Sequence, residues 1–146
     1  LENSKANVTI GIQATEAGDK KDSSENGVIT TDLNAPKLID VATFHEFGTA
    51  NIPQRSFIRS NDHNNYQKYR SMIEEIKDKI IFEGMKPFVG LGLLGEEIRK
   101  DIQAGINKGL KPELDEKTIK AKGSSKPLVD TGQLINAITY VVKGAK

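Results

Sequence analysis

Residues 7 to 14 alternate along the chain. Val8, Ile10 and Ile12 fall on one side; Asn7, Thr9, Gly11 and Gln13 fall on the other. A period of two is that of a strand buried on one face. A second such run closes the chain, where Ile138, Tyr140 and Val142 alternate with Ala137, Thr139 and Val141. That run is apolar on both faces, the pattern of a strand central in a sheet. Between them, Thr15 to Gly27 holds Glu16, Gly18, Asp19, Lys20, Lys21, Asp22, Ser23, Ser24, Glu25 and Asn26. So polar a stretch cannot offset the entropy of ordering it. A mobile polar loop is expected at 15–27, with the β-prone run Val28 to Thr31 pairing with the first strand across it.

The period then changes from two to 3.6. From Asn64 to Glu83, Tyr66, Tyr69, Ile73, Ile76 and Ile80 recur at spacings of three and four, with charged residues between them. This predicts an amphipathic helix ended by Gly84. Pro87 opens a second helix with Leu91, Leu94, Ile98, Ile102 and Ile106 on one stripe, closed by Gly109 and Pro112. The short turn between them makes the pair antiparallel. Gly90, Gly92, Gly95 and Gly105 each cost this helix about 1 kcal/mol. Either backbones approach closely there or packing partners hold the helix together.

Shorter elements complete the pattern. Asp40 is placed to cap a helix with Val41, Phe44 and Phe47 on one side, stopped by a left-handed Gly48. Thr49 to Phe57 contains Pro53 and is expected to be extended. Asp115 to Lys122 reads as a short helix closed by Gly123, and Asp130 with Gln133 as a capping pair that starts a turn before the last strand. The predicted fold is a single α+β domain spanning 1–146. Its small antiparallel sheet comes from the N- and C-terminal strands and packs against two longer antiparallel helices plus short ones.

Composition removes chemistries more than it names them. The 146 residues carry 21 Lys and Arg against 20 Asp and Glu, a net charge of +1, so no global field draws the chain to nucleic acid or an anionic membrane. There is no Cys, which excludes disulfides, thiolate metal sites and cysteine nucleophiles. The longest apolar stretch, Phe88 to Leu94, falls far short of the roughly 20 residues that cross a bilayer. No basic segment followed by an apolar one opens the sequence, so no secretory signal is expected.

The local motifs are better explained by structure than by catalysis. Gly90-Leu91-Gly92-Leu93-Leu94-Gly95 matches the dinucleotide glycine pattern, but an amphipathic helix precedes it where a strand is required. His45-Glu46 resembles the start of a zinc-protease helix. The second His belongs four residues on, where Thr49 stands, and His63 is too distant in sequence to replace it. No Gly-x-Ser-x-Gly elbow surrounds a serine, and the pairs Glu74-Glu75, Glu96-Glu97 and Asp115-Glu116 cannot face each other on a helix. No catalytic residue, cofactor, metal or small-molecule substrate is therefore expected, and the chain reads as a non-enzyme. Arg55 and Arg59 flank Phe57 just after Pro53. Such residues on a loop suit an interface; the alternative is that Phe57 plugs the core and both arginines face water.

Three strings, in fixed order, carry a resemblance. The first is His45-Glu46-Phe47-Gly48-Thr49 followed by Ile52-Pro53-Gln54-Arg55-Ser56-Phe57-Ile58-Arg59. The second is Lys111-Pro112-Glu113-Leu114, then Lys117-Thr118-Ile119 and Lys122-Gly123. The third is Pro127-Leu128-Val129-Asp130-Thr131-Gly132-Gln133-Leu134, running into Ile138-Thr139-Tyr140. Together, over about 45 to 140, they resemble the neck or tail-completion proteins of tailed bacteriophages and prophages. The chain departs from that pattern at Ser56, where a second proline often stands.

The resemblance implies a small α+β structural subunit of the virion neck or tail. It would assemble in the bacterial host cytoplasm as a ring that joins or terminates the tail. Its partners would be copies of itself and neighbouring connector or tail-tube proteins, with no membrane and only weak, non-specific contact with DNA. Within this reading, Thr49, Pro53, Arg55, Phe57 and Arg59 are the candidate subunit interface. Gly48, Asp130, Thr131, Gly132 and Gln133 are candidate structural turns or caps. The rival reading is a small DNA-contacting accessory protein that uses the lysines between 108 and 126.

Overall fold

The two alternating segments pair with each other. In the computed structural model, β1 (Asn7–Ile12) lies antiparallel to β4 (Ile138–Lys143), with Val8 opposite Val142, Ile10 opposite Tyr140 and Ile12 opposite Ile138. The structure describes residues 6–12, 22–25, 28–31, 37–112 and 132–144, and of 22–25 and 28–31 the backbone alone. Among these residues β4 pairs with β1 only, so within them it has one neighbour where its two apolar faces predicted two. Its burial follows: Ile138 is buried, whereas Thr139 to Val142 are half-buried.

Of the polar stretch, Asp22 to Glu25 belong to a second sheet, and 15–21 and 26–27 lie outside the described residues. β2 (Asp22–Glu25) pairs antiparallel with β3 (Val28–Thr31), so β3 does not pair with β1 as expected. Glu25 stands opposite Val28, which leaves Asn26-Gly27 as the connection. That dipeptide is the strongest sequence signal for a two-residue hairpin, and it outweighs the polar composition that reads as a loop.

Among the described residues there are four helices: α1 (Leu38–Phe47), α2 (Ile58–Phe82), α3 (Pro87–Lys108) and α4 (Gln133–Ala137). α1 begins two residues before Asp40, with Lys37 at its N-cap, so Asp40 sits in the first turn rather than capping it. Its inward stripe is Leu38, Ala42, His45 and Glu46, while Phe44 and Phe47 face outward at 39% and 63% exposure. Spacings of three and four serve either stripe; the buried one supplies two apolar anchors and an acid that α2 needs.

α2 starts six residues earlier than its apolar period, because its first amides are capped from outside the helix while Phe57 and Ile58 pack into the main core. Tyr69 and Ile76 are buried, with Met72 and Ile80 beside them, but Tyr66 and Ile73 are exposed. α3 occupies the expected span. Gly132, at φ 70°, stands at the N-cap of α4, and Gln133 is its first residue. Asp130, Thr131 and the Asp115–Lys122 helix lie outside the described residues.

α3 is the central element, packed on α2 on one side and on β1 and β4 on the other. Lys68 of α2 meets Glu97 and Asp101 of α3, and Ile76 meets Gly90, so the two helices run antiparallel. One core joins Leu38, Phe57, Ile102, Ile106, Leu134 and Ile138; a second joins Tyr69, Ile76 and Leu94, and Ile98 touches both. Between α2 and α3 the Asn61 amide donates to the Tyr69 hydroxyl (2.7 Å), which donates to Asp101 (2.9 Å). Burial, with the Asp101 carboxylate beside it, pushes the Tyr69 phenol up to about 12. Its hydroxyl is therefore a donor at neutral pH.

The glycines of α3 divide into two kinds. A Cβ on Gly95 would lie 2.6 Å from Tyr140 and 2.9 Å from Val8, and one on Gly90 would collide with Ile76. Gly92 and Gly105 have open space. Gly95→Ala is therefore expected to destabilise the fold by about 1–3 kcal/mol through overpacking. Gly92→Ala should stabilise it by about 0.5–1 kcal/mol through helix propensity. Thermal unfolding of the two variants beside the parent checks the opposite signs.

Candidate functional site

The sequence places a glutamate where its own helix disfavours it. Glu46 lies in the last turn of α1, at the negative end of that helix's dipole. Its side chain instead points at the start of α2. Gly48, at φ 77°, reverses the chain there; a Cβ would stand 3.0 Å from the Gln54 nitrogen, so both conformation and space require glycine. Thr49 Oγ1 accepts from the Asn51 and Ile52 amides, and the Thr49 amide donates to the Ile52 carbonyl, which makes a tight turn rather than an extended start. The chain then returns alongside α1, where the Arg55 amide donates to the His45 carbonyl at 2.7 Å.

This return brings the first amides of α2 onto one carboxylate. Glu46 accepts from the amides of Phe57 (2.8 Å), Ile58 (3.0 Å) and Arg59 (3.2 Å), from Ser56 Oγ (2.8 Å) and from Arg59 Nε (2.9 Å). Ser56 Oγ in turn accepts from the Ser60 amide at 3.2 Å. The amides that a helix N-terminus leaves unpaired are thus satisfied by a side chain from the preceding helix. Burial opposes ionisation of Glu46. The Ile58 amide, Arg59, Ser56 and the Phe57 amide outweigh it, so the carboxyl is held below the usual glutamate range.

Each remaining residue of the string then has a defined place. Phe57 is buried in the main core, and Arg55 is buried with Nε donating to the Pro112 carbonyl at 2.6 Å, which ties this segment to the chain just after α3. The expected interface therefore loses two of its five members to the interior. Thr49, Pro53 and Arg59 remain exposed. His45 is buried in α1. Arg59 Nη2 donates to the Glu46 carbonyl at 2.7 Å, and the guanidinium lies 4.6 Å from the centre of the exposed Phe47 ring.

Beside this junction opens a cleft of about 560 Å³, with Ser56, Arg59, Ser60 and His63 on one wall and Leu110 and Lys111 on the other. Arg59, Ser60 and His63 share a face of α2 by their spacing of three and four. None of the described residues lining the cleft is acidic. Among the described residues, no group of three or more His, Cys, Asp or Glu could hold a metal ion, and no helix is long and apolar enough to cross a membrane. The glycine pattern at 90–95 lies inside α3, whose glycines serve packing, not a strand-to-helix turn. Of the lysines between 108 and 126, only Lys108 and Lys111 are described.

Comparison with known proteins finds no match. No family model, no curated protein and no solved structure is similar to this chain.

Glu46 was the residue that sequence reasoning passed over, and its misfit in the last turn of α1 was the available signal. Its carboxyl is more acidic folded than unfolded. Its contribution to stability is therefore complete above the ordinary glutamate range and is lost as pH falls through its lowered folded-state value. Glu46→Gln is expected to cost about 3 kcal/mol near neutral pH and to flatten the acid side of the stability profile. Urea unfolding of parent and variant across acid to neutral pH measures both effects.

Proposed function

We propose that this chain is a structural virion subunit of a tailed bacteriophage or prophage. In this reading it is a neck or tail-completion part that joins or terminates the tail at the head–tail interface and works as a ring. The three sequence strings favour the family. The structural observation that carries the reading is that the most exposed of the described large apolar side chains stand at opposite ends of one helix. Phe47 is 63% exposed beside the N-terminal turn of α2, and Phe82 is 79% exposed at its C-terminal end, with Ile81 at 62%. Helical rise separates Arg59 from Phe82 by about 35 Å along the axis. Exposed apolar patches mark contact surfaces. Two unlike patches on distant ends suit head-to-tail association, which closes into a ring when the rotation per subunit allows.

The string from 45 to 59 supports this reading in a different way from the one its composition first indicated. It acts inside the subunit, where Glu46, Arg55 and Phe57 lock α1, α2 and the end of α3 together, and it offers Phe47 and Arg59 outward. Antibody-gold labelling of particles released by the host that carries this gene tests the proposal. Label at the head–tail junction is the expected result; purified particles without label, or label confined to another part, overturn it.

A further inference from the structure

The geometry points to the contact that two copies of this chain make. The Phe82–Glu83 end of α2 in one copy docks on the Phe47–Arg59 end of α2 in the next. This inference deepens the ring reading and rests on it, and it names the surfaces involved.

Three observations converge on it. First, the two ends are complementary in kind. Phe82 and Phe47 are the two most exposed of the described large apolar side chains that flank α2's termini. Next to Phe82 stands Glu83, an exposed carboxylate at the C-cap. Next to Phe47 stands the Arg59 guanidinium, 4.6 Å from its ring. An aromatic beside an acid thus faces an aromatic beside a cation, which fixes orientation as well as attraction.

Second, the receiving end has donors to spare. Arg59 spends Nε and Nη2 on Glu46, and among the described residues nothing takes Nη1. Ser60 Oγ and His63 have no hydrogen-bond or ion-pair partner among the described residues and line the 560 Å³ cleft with Arg59. The α2 amides do not contribute, because Glu46 and Ser56 have taken them. A carboxylate that reaches Arg59 from the Phe47 side meets a guanidinium whose cleft neighbours on α2 are Ser60 and His63.

Third, the two ends cannot meet within one molecule, because α2 itself holds them about 35 Å apart. A contact between unlike surfaces on two copies repeats from copy to copy, whereas a self-matched patch stops at a dimer.

Phe47→Ser, Phe82→Ser and Glu83→Lys change exposed side chains, and their melting temperatures should match that of the parent. Sedimentation equilibrium of the 16.0 kDa chain over a range of concentrations reads the contact. The parent should exceed the monomer mass as concentration rises. Phe47→Ser and Phe82→Ser should each remain monomeric, and their equimolar mixture should reach the mass of two chains, because each variant keeps one intact face. Glu83→Lys should weaken association about tenfold. The contact is overturned if the parent stays monomeric up to about 1 mM. It is also overturned if either serine variant associates like the parent, or if their mixture stays monomeric. Particle labelling at the neck with unaltered association of the serine variants would leave the virion reading standing and remove this contact.

Discussion

The start of α2 depends on one carboxylate. Glu46 gathers three backbone amides, a serine hydroxyl and an arginine. Removing it would leave several buried donors unpaired at once, and an unmet buried donor costs more than a made bond contributes. The arrangement also sets where other parts lie. With α2 pinned to the end of α1, Phe57 must enter the core, Arg55 must reach the carbonyl of Pro112, and Phe47 is left facing solvent beneath Arg59. Surface and interior in this region are two results of the same hydrogen-bond cluster.

What the sequence made legible follows from periodicity. The apolar stripe of α3 and the alternation of β1 and β4 are local patterns with a strong signal, and all three elements lie close to where their patterns place them. The α+β architecture, with β1 and β4 packed on the second of two long antiparallel helices, follows from them. Where reading failed, a distant partner decided the outcome. Val41, Phe44 and Phe47 make as good a stripe as Leu38, Ala42 and Glu46 until α2 is placed, and only then does burying an acid become favourable. The first turns of α2, Ile58 to His63, carry no amphipathic period, because their stability comes from a cap on another helix. The β2–β3 hairpin is the exception: its signal was local, in Asn26-Gly27, and was masked by the polar residues around it.

α3 shows how one helix serves two neighbours with different demands. Gly90 lets Ile76 of α2 come close, and Gly95 lets Tyr140 and Val8 of the sheet do the same. Each glycine costs helix propensity and is offset by contact that no larger residue would permit. Tyr69, held by Asn61 of the same helix, and Lys68 both reach Asp101 and so fix the register of α2 on α3, since a slide by one turn would break both contacts to Asp101.

The pairing of β1 with β4 has a consequence for biosynthesis. Asn7 finds its partner in Lys143, nearly the whole length of the given chain away. Closing so long a loop is entropically unfavourable and slow, and it cannot begin until the last strand has left the ribosome. Until then Val8, Ile10 and the sheet-facing side of α3 lack their cover. The sheet therefore closes only after Ile138 to Lys143 have been made, so a translation product truncated before them lacks it.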